Sequence, residues 1–171
     1  MTRDHLREML MQTSDPNKSL AAALGRIPSG VFILTATKDA VETGMLASWV
    51  QQCSFQPPLI TFVLQRNRPI ADLLNPGAAF TLNVLEAAQT DMIAHFGKGF
   101  ALADNAFAGL DICRTPPHGP ILSEAHAYLF GKVVERKPTG DHDLYIAEVT
   151  AGSLLEDGQP MVHIRKNGFH Y

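Results

Sequence analysis

No stretch of this sequence approaches the roughly 20 consecutive apolar residues that crossing a bilayer requires. Its opening, MTRDHLREMLMQTSDPNKS, also lacks the apolar run and small-residue cleavage site of a secretory signal. A cytoplasmic location follows as the default expectation, with no membrane partner. Cysteine is scarce: Cys53 and Cys113 stand alone, without a CxxC spacing or a neighbouring His/Cys cluster. That argues against a disulfide framework or a structural zinc site and fits a reducing compartment. A basic stripe is missing too. With 17 acidic and 14 basic side chains the net charge is −3, so nucleic acid is not an expected partner. There is no G-x-S-x-G, HExxH, P-loop or G-x-G-x-x-G, which removes the hydrolase elbow, the zincin helix and the Rossmann turn. The seven histidines show no ligand spacing, and no metal site is expected.

What is present is ordinary globular material, 46% apolar and 18% charged over 171 residues, enough for one domain spanning 1–171. Residues 1–18 form an N-terminal helical arm in this reading. Leu6, Met9 and Leu10 recur at helical spacing over 4–13, and Ser14-Asp15-Pro16 ends that turn of chain. A second short helix is expected over 18–25, capped by Ser19 and stopped by a left-handed Gly25.

From Val31 the period changes. VFILTATK reads as a strand, Asp39-Ala40 as a turn, GMLASWVQQCSF as its antiparallel partner, and LITFVLQ, after Pro57-Pro58, as a strand buried on both faces. Pro69–Leu74 starts a helical turn with proline at its first position. AFTLNVL is the next strand, and residues 86–98 are helical, with Met92, Ile93 and Phe96 on one side. Residues 99–121 are irregular, long enough to suggest a lid. AYLFGKVVERK, LYIAEVTAGSLL and MVHIRK complete the set, the first two joined at Gly140-Asp141-His142. The fold class is mainly β: a six-stranded antiparallel barrel with a few short flanking helices.

Several positions could carry chemistry. Ser48, Gln51, Gln52 and Ser54 put hydroxyls and amides on a strand that follows a glycine, as a planar, heteroatom-rich ligand would need; an amphipathic strand with one wet face fits the same pattern. Arg66-Asn67-Arg68 offers two cations and an amide where a strand gives way to a loop, suited to a phosphate or simply to a solvated turn. Lys98, in the helix carrying His95 and Phe96, is a third candidate cation, or a dipole-complementing lysine. His142 in its turn can donate near neutral pH, or be an exposed turn histidine.

Taken in order, GRIPSGVFILTA, GMLASWVQQCSFQPPLITFVL, FTLNVL, the GDH turn and HIRKNGFHY resemble the flavin reductase-like, FMN-binding split-barrel family. The resemblance extends in particular to the flavin reductase module of cyanobacterial diflavin flavodiiron proteins, from about residue 20 to Tyr171. It implies a six-stranded split barrel of Greek-key-like topology, a homodimer, and FMN or FAD near the subunit interface. Carried over residue by residue, Met45, Leu46, Ala47, Ser48 and Trp49 would line the flavin ring. Gln52, Cys53 and Ser54 would lie near the ribityl chain and phosphate, and Arg66, Asn67 and Arg68 over the phosphate, with Phe96 and Lys98 as further cofactor contacts. His142 would face the nicotinamide. The implied function is an NAD(P)H-dependent flavin reductase with a separate electron acceptor. The alternatives are an FMN-binding electron-transfer protein without a nicotinamide site, and a non-catalytic dimeric module.

Overall fold

The computed structural model describes residues 3–4 and 15–170. The expected helix over 4–13 lies, apart from Asp4, outside the described residues. These divide into two compact units, one formed by the chain up to Ser29 together with His163 onward, the other by Gly30–Val162.

In the smaller unit, helix α1 (Pro16–Leu24) begins two residues earlier than expected. Asp15, not Ser19, is the N-cap, its carboxylate accepting from the amides of Asn17 at 3.0 Å and Lys18 at 3.3 Å, with Pro16 in the first turn where a missing N–H is harmless. Gly25 closes the helix with φ −62°, so it is not a left-handed stop. Glycine is required there for space: a Cβ would lie 2.7 Å from the Arg165 carbonyl oxygen.

The larger unit is built on a seven-stranded antiparallel sheet. Its strands are β1 (Phe32–Lys38), β2 (Val41–Ala47), β3 (Val50–Phe55), β4 (Pro58–Gln65), β5 (Ala79–Val84), β6 (Ala127–Thr139) and β7 (His142–Leu154). They are hydrogen-bonded in the order β2-β1-β5-β6-β7-β4-β3. Between β1 and β2, Asp39 and Ala40 both take positive φ, 49° and 65°, the sense of twist that a two-residue hairpin requires. The expected single strand through GMLASWVQQCSF is two strands, because β2 ends at Ala47 and β3 starts at Val50. These are the two edges of the sheet, yet only Ser48 and Trp49 separate them. Three residue steps reach about 11 Å, so the sheet curls until its edges lie side by side. No ladder joins β2 to β3; the sheet has seven strands and stays open, in place of the six-stranded barrel expected.

Inside the curl, Leu34, Phe62, Leu64, Phe80, Leu82, Val133 and Tyr145 form the main core. Phe62 and Tyr145 are opposite each other in the β4–β7 ladder and stack at 4.8 Å. β4 alternates buried and half-buried residues; the strands covered on both faces are β1 and β5, and Ile33 of β1 turns outward into a second core with Leu85, Met92, Phe96, Phe107 and Leu122. Helix α2 (Thr90–Phe96) is shorter than the 86–98 expected, and the 3₁₀ turn Pro69–Asp72 begins with proline as expected. Of MVHIRK only Val162–His163 is extended.

Residues 99–121 are not a lid. Thr35 donates to the Pro120 carbonyl at 2.7 Å, Thr81 to that of Gly119, and Asn83 bonds both the Pro120 carbonyl and the Leu122 amide. All three side chains are fully buried. Three polar residues inside apolar strands thus satisfy the backbone of a loop seated on the sheet, as buried polar groups must. No helix of the described residues is long and apolar enough to cross a membrane.

Candidate functional site

The β4–β7 ladder brings together what the sequence scatters. His142 opens β7 opposite Gln65, the last residue of β4, and the Arg66 amide donates to the Asp141 carbonyl at 3.1 Å. One residue beyond the β3–β4 ladder, the amide of Val63 donates to the carbonyl of Trp49 at 3.0 Å. This bond holds the Ser48–Trp49 junction against the same end of β4. The Trp49 and His142 rings meet at 4.9 Å, tilted by 39°. Ser48 and Trp49, Gln65 to Arg68, and Asp141 to Asp143 therefore converge from three separate places in the chain.

His142 is largely covered, its side chain 14% exposed, and Nδ1 lies 2.8 Å from the Asp141 carboxylate. The hydrogen bond to His142 holds the Asp141 carboxyl below the usual carboxylate range, its own backbone amide adding to the effect. Asp141 is thus ionised at neutral pH and accepts the Nδ1–H, and Nε2 is the ring nitrogen with no hydrogen bond among the described residues.

Arg68 donates only to neutral Gln65, at 3.1 Å, whereas Arg66 is tied through Nε to Asp143 at 3.2 Å. Asp143 was not among the expected site residues. It receives Nη2 of Arg136 at 2.6 Å on its other oxygen, and Arg136 also lies over the Tyr145 ring at 5.3 Å. The signal was in the sequence: Asp143, Tyr145 and Ala147 share one period-2 row, and a carboxylate in a core row requires cationic partners. The hydrogen bond from Arg136 holds the Asp143 carboxyl below its usual range, and Arg66 adds to this against the opposing effect of burial. A carboxylate whose folded value is depressed stabilises fully above its unfolded value, about 3.9, and loses that contribution as pH falls through the folded value. Asp143→Asn is therefore expected to lower Tm at pH 7, with the gap to wild type closing below pH 4. Thermal melts at the two pH values check this; a gap that stays constant would show that the pairing does not stabilise the fold.

The other expected residues divide by burial. Met45 and Leu46 are half-buried on edge strand β2, and Ala47 is 6% exposed, its side chain in the core. On edge strand β3, Gln52 and Cys53 are exposed, with Cys53 at the extra position of a bulge against β4, and Gln52 donates to the Ser54 carbonyl. Asn67 takes the turn at φ 67°. Phe96 corrects the expectation most clearly: at 2% exposed it is a core residue packed with His95, Phe100 and Phe107 beneath Gly44. Lys98 is exposed just beyond α2, away from the described hydrogen bonds of the cluster. No group of three or more His, Cys, Asp or Glu among the described residues could hold a metal ion.

Comparison with known proteins agrees with this architecture. The family model for the flavin reductase like domain matches residues 24–170. Diflavin flavoprotein A 1 of Synechocystis sp. is 37% identical over 164 residues, which cover 95% of this chain and 29% of that protein; the chain thus spans less than a third of the relative's length. A flavin reductase domain protein from Arthrobacter sp. superposes with a TM-score of 0.70 at 26% identity, over 82% of this chain and 86% of that one. The NADH:FAD oxidoreductase of Streptomyces globisporus gives 0.74 at 23% identity, over 83% and 85%, a likeness of fold. With the family model covering most of its length and a relative above 30% identity matching nearly all of it, the chain belongs to the flavin reductase-like domain family.

Proposed function

We propose that the chain acts as a single FMN-binding domain of an NAD(P)H-dependent flavin reductase, with the flavin ring against Met45–Trp49 and its phosphate at Arg66-Asn67-Arg68. The observation that carries this reading is the convergence of Ser48–Trp49, the two arginines and His142 at one end of the β4–β7 ladder. The residues fit such a group. A break between two sheet edges leaves backbone and the Ser48 hydroxyl beside an aromatic ring, and two exposed guanidiniums stand within a few residues of it. Bound flavin supplies hydride acceptance from a nicotinamide and onward delivery of electrons. The protein's own part is to hold and orient. Trp49 braces His142, Asp141 fixes the imidazole tautomer, and Nε2 is placed to hydrogen-bond a nicotinamide carboxamide.

A second copy of the chain completes this reading. Phe32, Val50, Leu59, Leu82, Leu129 and Val149 line a groove of about 290 Å³, and Phe55 and Leu154 are 88% and 60% exposed, an apolar surface suited to a homodimer. A cytoplasmic electron acceptor would take the reduced flavin's electrons.

The purified protein, titrated anaerobically with NADH and NADPH in the presence of FMN or FAD, is expected to bleach the flavin absorbance, and to run as a dimer in light scattering. Bleaching by dithionite alone would make it a carrier and not a reductase; absence of flavin binding would remove the reading. Ser48→Trp fills the junction with an indole and is expected to weaken FMN at least about tenfold, as a steric clash of 1.4 kcal/mol or more requires, while the melting curve stays cooperative. Fluorescence quenching of FMN measures it, and unchanged affinity would move the site elsewhere.

A further inference from the structure

Asp143 supports a step that rests on the flavin reading above. It is the one buried carboxylate among the described residues. One oxygen takes both Nε and Nη2 of Arg136, at 3.0 and 2.6 Å; Arg136 is in turn fixed by the Ala71 carbonyl and the Tyr145 ring. The other oxygen takes Arg66, and only through Nε. A guanidinium carries five N–H donors in a planar fork. Held by Nε, with 46% of its side chain exposed, Arg66 keeps Nη1 and Nη2 unengaged by any described residue.

We propose that Asp143 is a positioning residue: it anchors Arg66 by Nε so that the Nη fork stands ready for the phosphate of a flavin nucleotide, making the site select FMN over riboflavin. The physical reason is preorganisation. An arginine already fixed in its rotamer loses little freedom when a phosphate accepts both Nη groups, whereas an untethered one must be ordered by the ligand. Arg136, locked against the core, serves as the counterweight that keeps Asp143 in place.

The test compares dissociation constants for FMN and riboflavin, which share the ring and ribityl chain and differ in the phosphate. Wild type is expected to favour FMN by at least about tenfold, the range of one charge-assisted hydrogen-bond set. Asp143→Asn should lower that preference by about tenfold with riboflavin affinity unchanged, and should add nothing in an Arg66→Gln background. Asp143→Glu keeps the buried charge beside Arg136, and so the fold, but displaces the carboxylate; its preference should fall about threefold, a partial loss of the same hydrogen bonds. A preference unchanged in the Asn and Glu variants, or equal losses for both flavins, overturns the proposal and leaves Asp143 a purely structural residue. Wild type that binds both flavins equally also overturns it while the flavin reading stands. Wild type that binds neither flavin fails the flavin reading itself.

Discussion

Gly119→Ala is expected to lower the unfolding free energy by about 3–5 kcal/mol, the sum of overpacking and lost buried hydrogen bonds. A Cβ at this position would lie 2.2 Å from the Thr35 carbonyl carbon and 2.3 Å from its oxygen. Both are backbone atoms of β1, so no side chain can swing aside. The loop must lift, and lifting it breaks the hydrogen bonds that the fully buried Thr35, Thr81 and Asn83 side chains make to it, leaving Thr35 a longer bond to the Thr81 carbonyl, Asn83 its bond to the Ile33 carbonyl, and the Thr81 hydroxyl without its acceptor. Gly109 is the control, at φ 78° with nothing within 4 Å of its Cβ; Gly109→Ala meets only left-handed strain of about 1–2 kcal/mol. Urea unfolding of the two variants separates them. A Gly119→Ala protein within 1 kcal/mol of wild type would mean that residues 119–122 are not seated as described, and would restore the lid that the sequence suggested.

That contrast shows what was legible in the sequence and what was not. Period-2 and β-branched runs bounded by Gly, Pro or Asp located the extended segments, since burial writes itself into the pattern of apolar residues. The break at Ser48–Trp49 left no such mark, because β2 and β3 are each extended and differ only in their hydrogen-bond partners, β1 for one and β4 for the other. Pairing is non-local and periodicity is not. The seating of 99–121 was hidden for a related reason: Thr35, Thr81 and Asn83 look like minor polar interruptions of apolar strands, and their role exists only through residues 37 to 85 positions away. At the candidate site the same division holds. Arg66, Arg68 and His142 were visible as polar residues at strand ends. Phe96 was misread because a helical apolar face carries no label saying whether a core or a ligand covers it. Asp143 was readable from its parity with Tyr145 and Ala147, and Arg136 meets it across the hairpin that the sequence marked at Gly140-Asp141-His142; its other partner, Arg66, lies 77 residues away at the end of β4, and only strand order brings it there.

Joint replacement of Arg66 and Arg68 by alanine is expected to weaken FMN binding about a hundredfold while moving Tm by no more than a few degrees. Each guanidinium–phosphate contact is a charge-assisted hydrogen-bond set of about 1.5 kcal/mol or more, and two such losses multiply to at least two decades. Stability is spared because of what each arginine does in the fold. Arg68 is exposed and bonded only to the neutral amide of Gln65, and Arg66 is half-exposed. Asp143 keeps the two Arg136 hydrogen bonds when Arg66 is gone, so no buried carboxylate is orphaned. In steady state the loss falls on KM for flavin with kcat held, as removal of a contact made equally in ground and transition states requires. Salt gives an independent reading. Wild-type affinity should decline as ionic strength screens the arginines, and the double variant should respond far less. Unchanged FMN affinity in a folded double variant would place the phosphate elsewhere on the protein, since among the described residues of the Trp49–His142 cluster only the 66–68 turn supplies two guanidiniums with N–H groups left to donate.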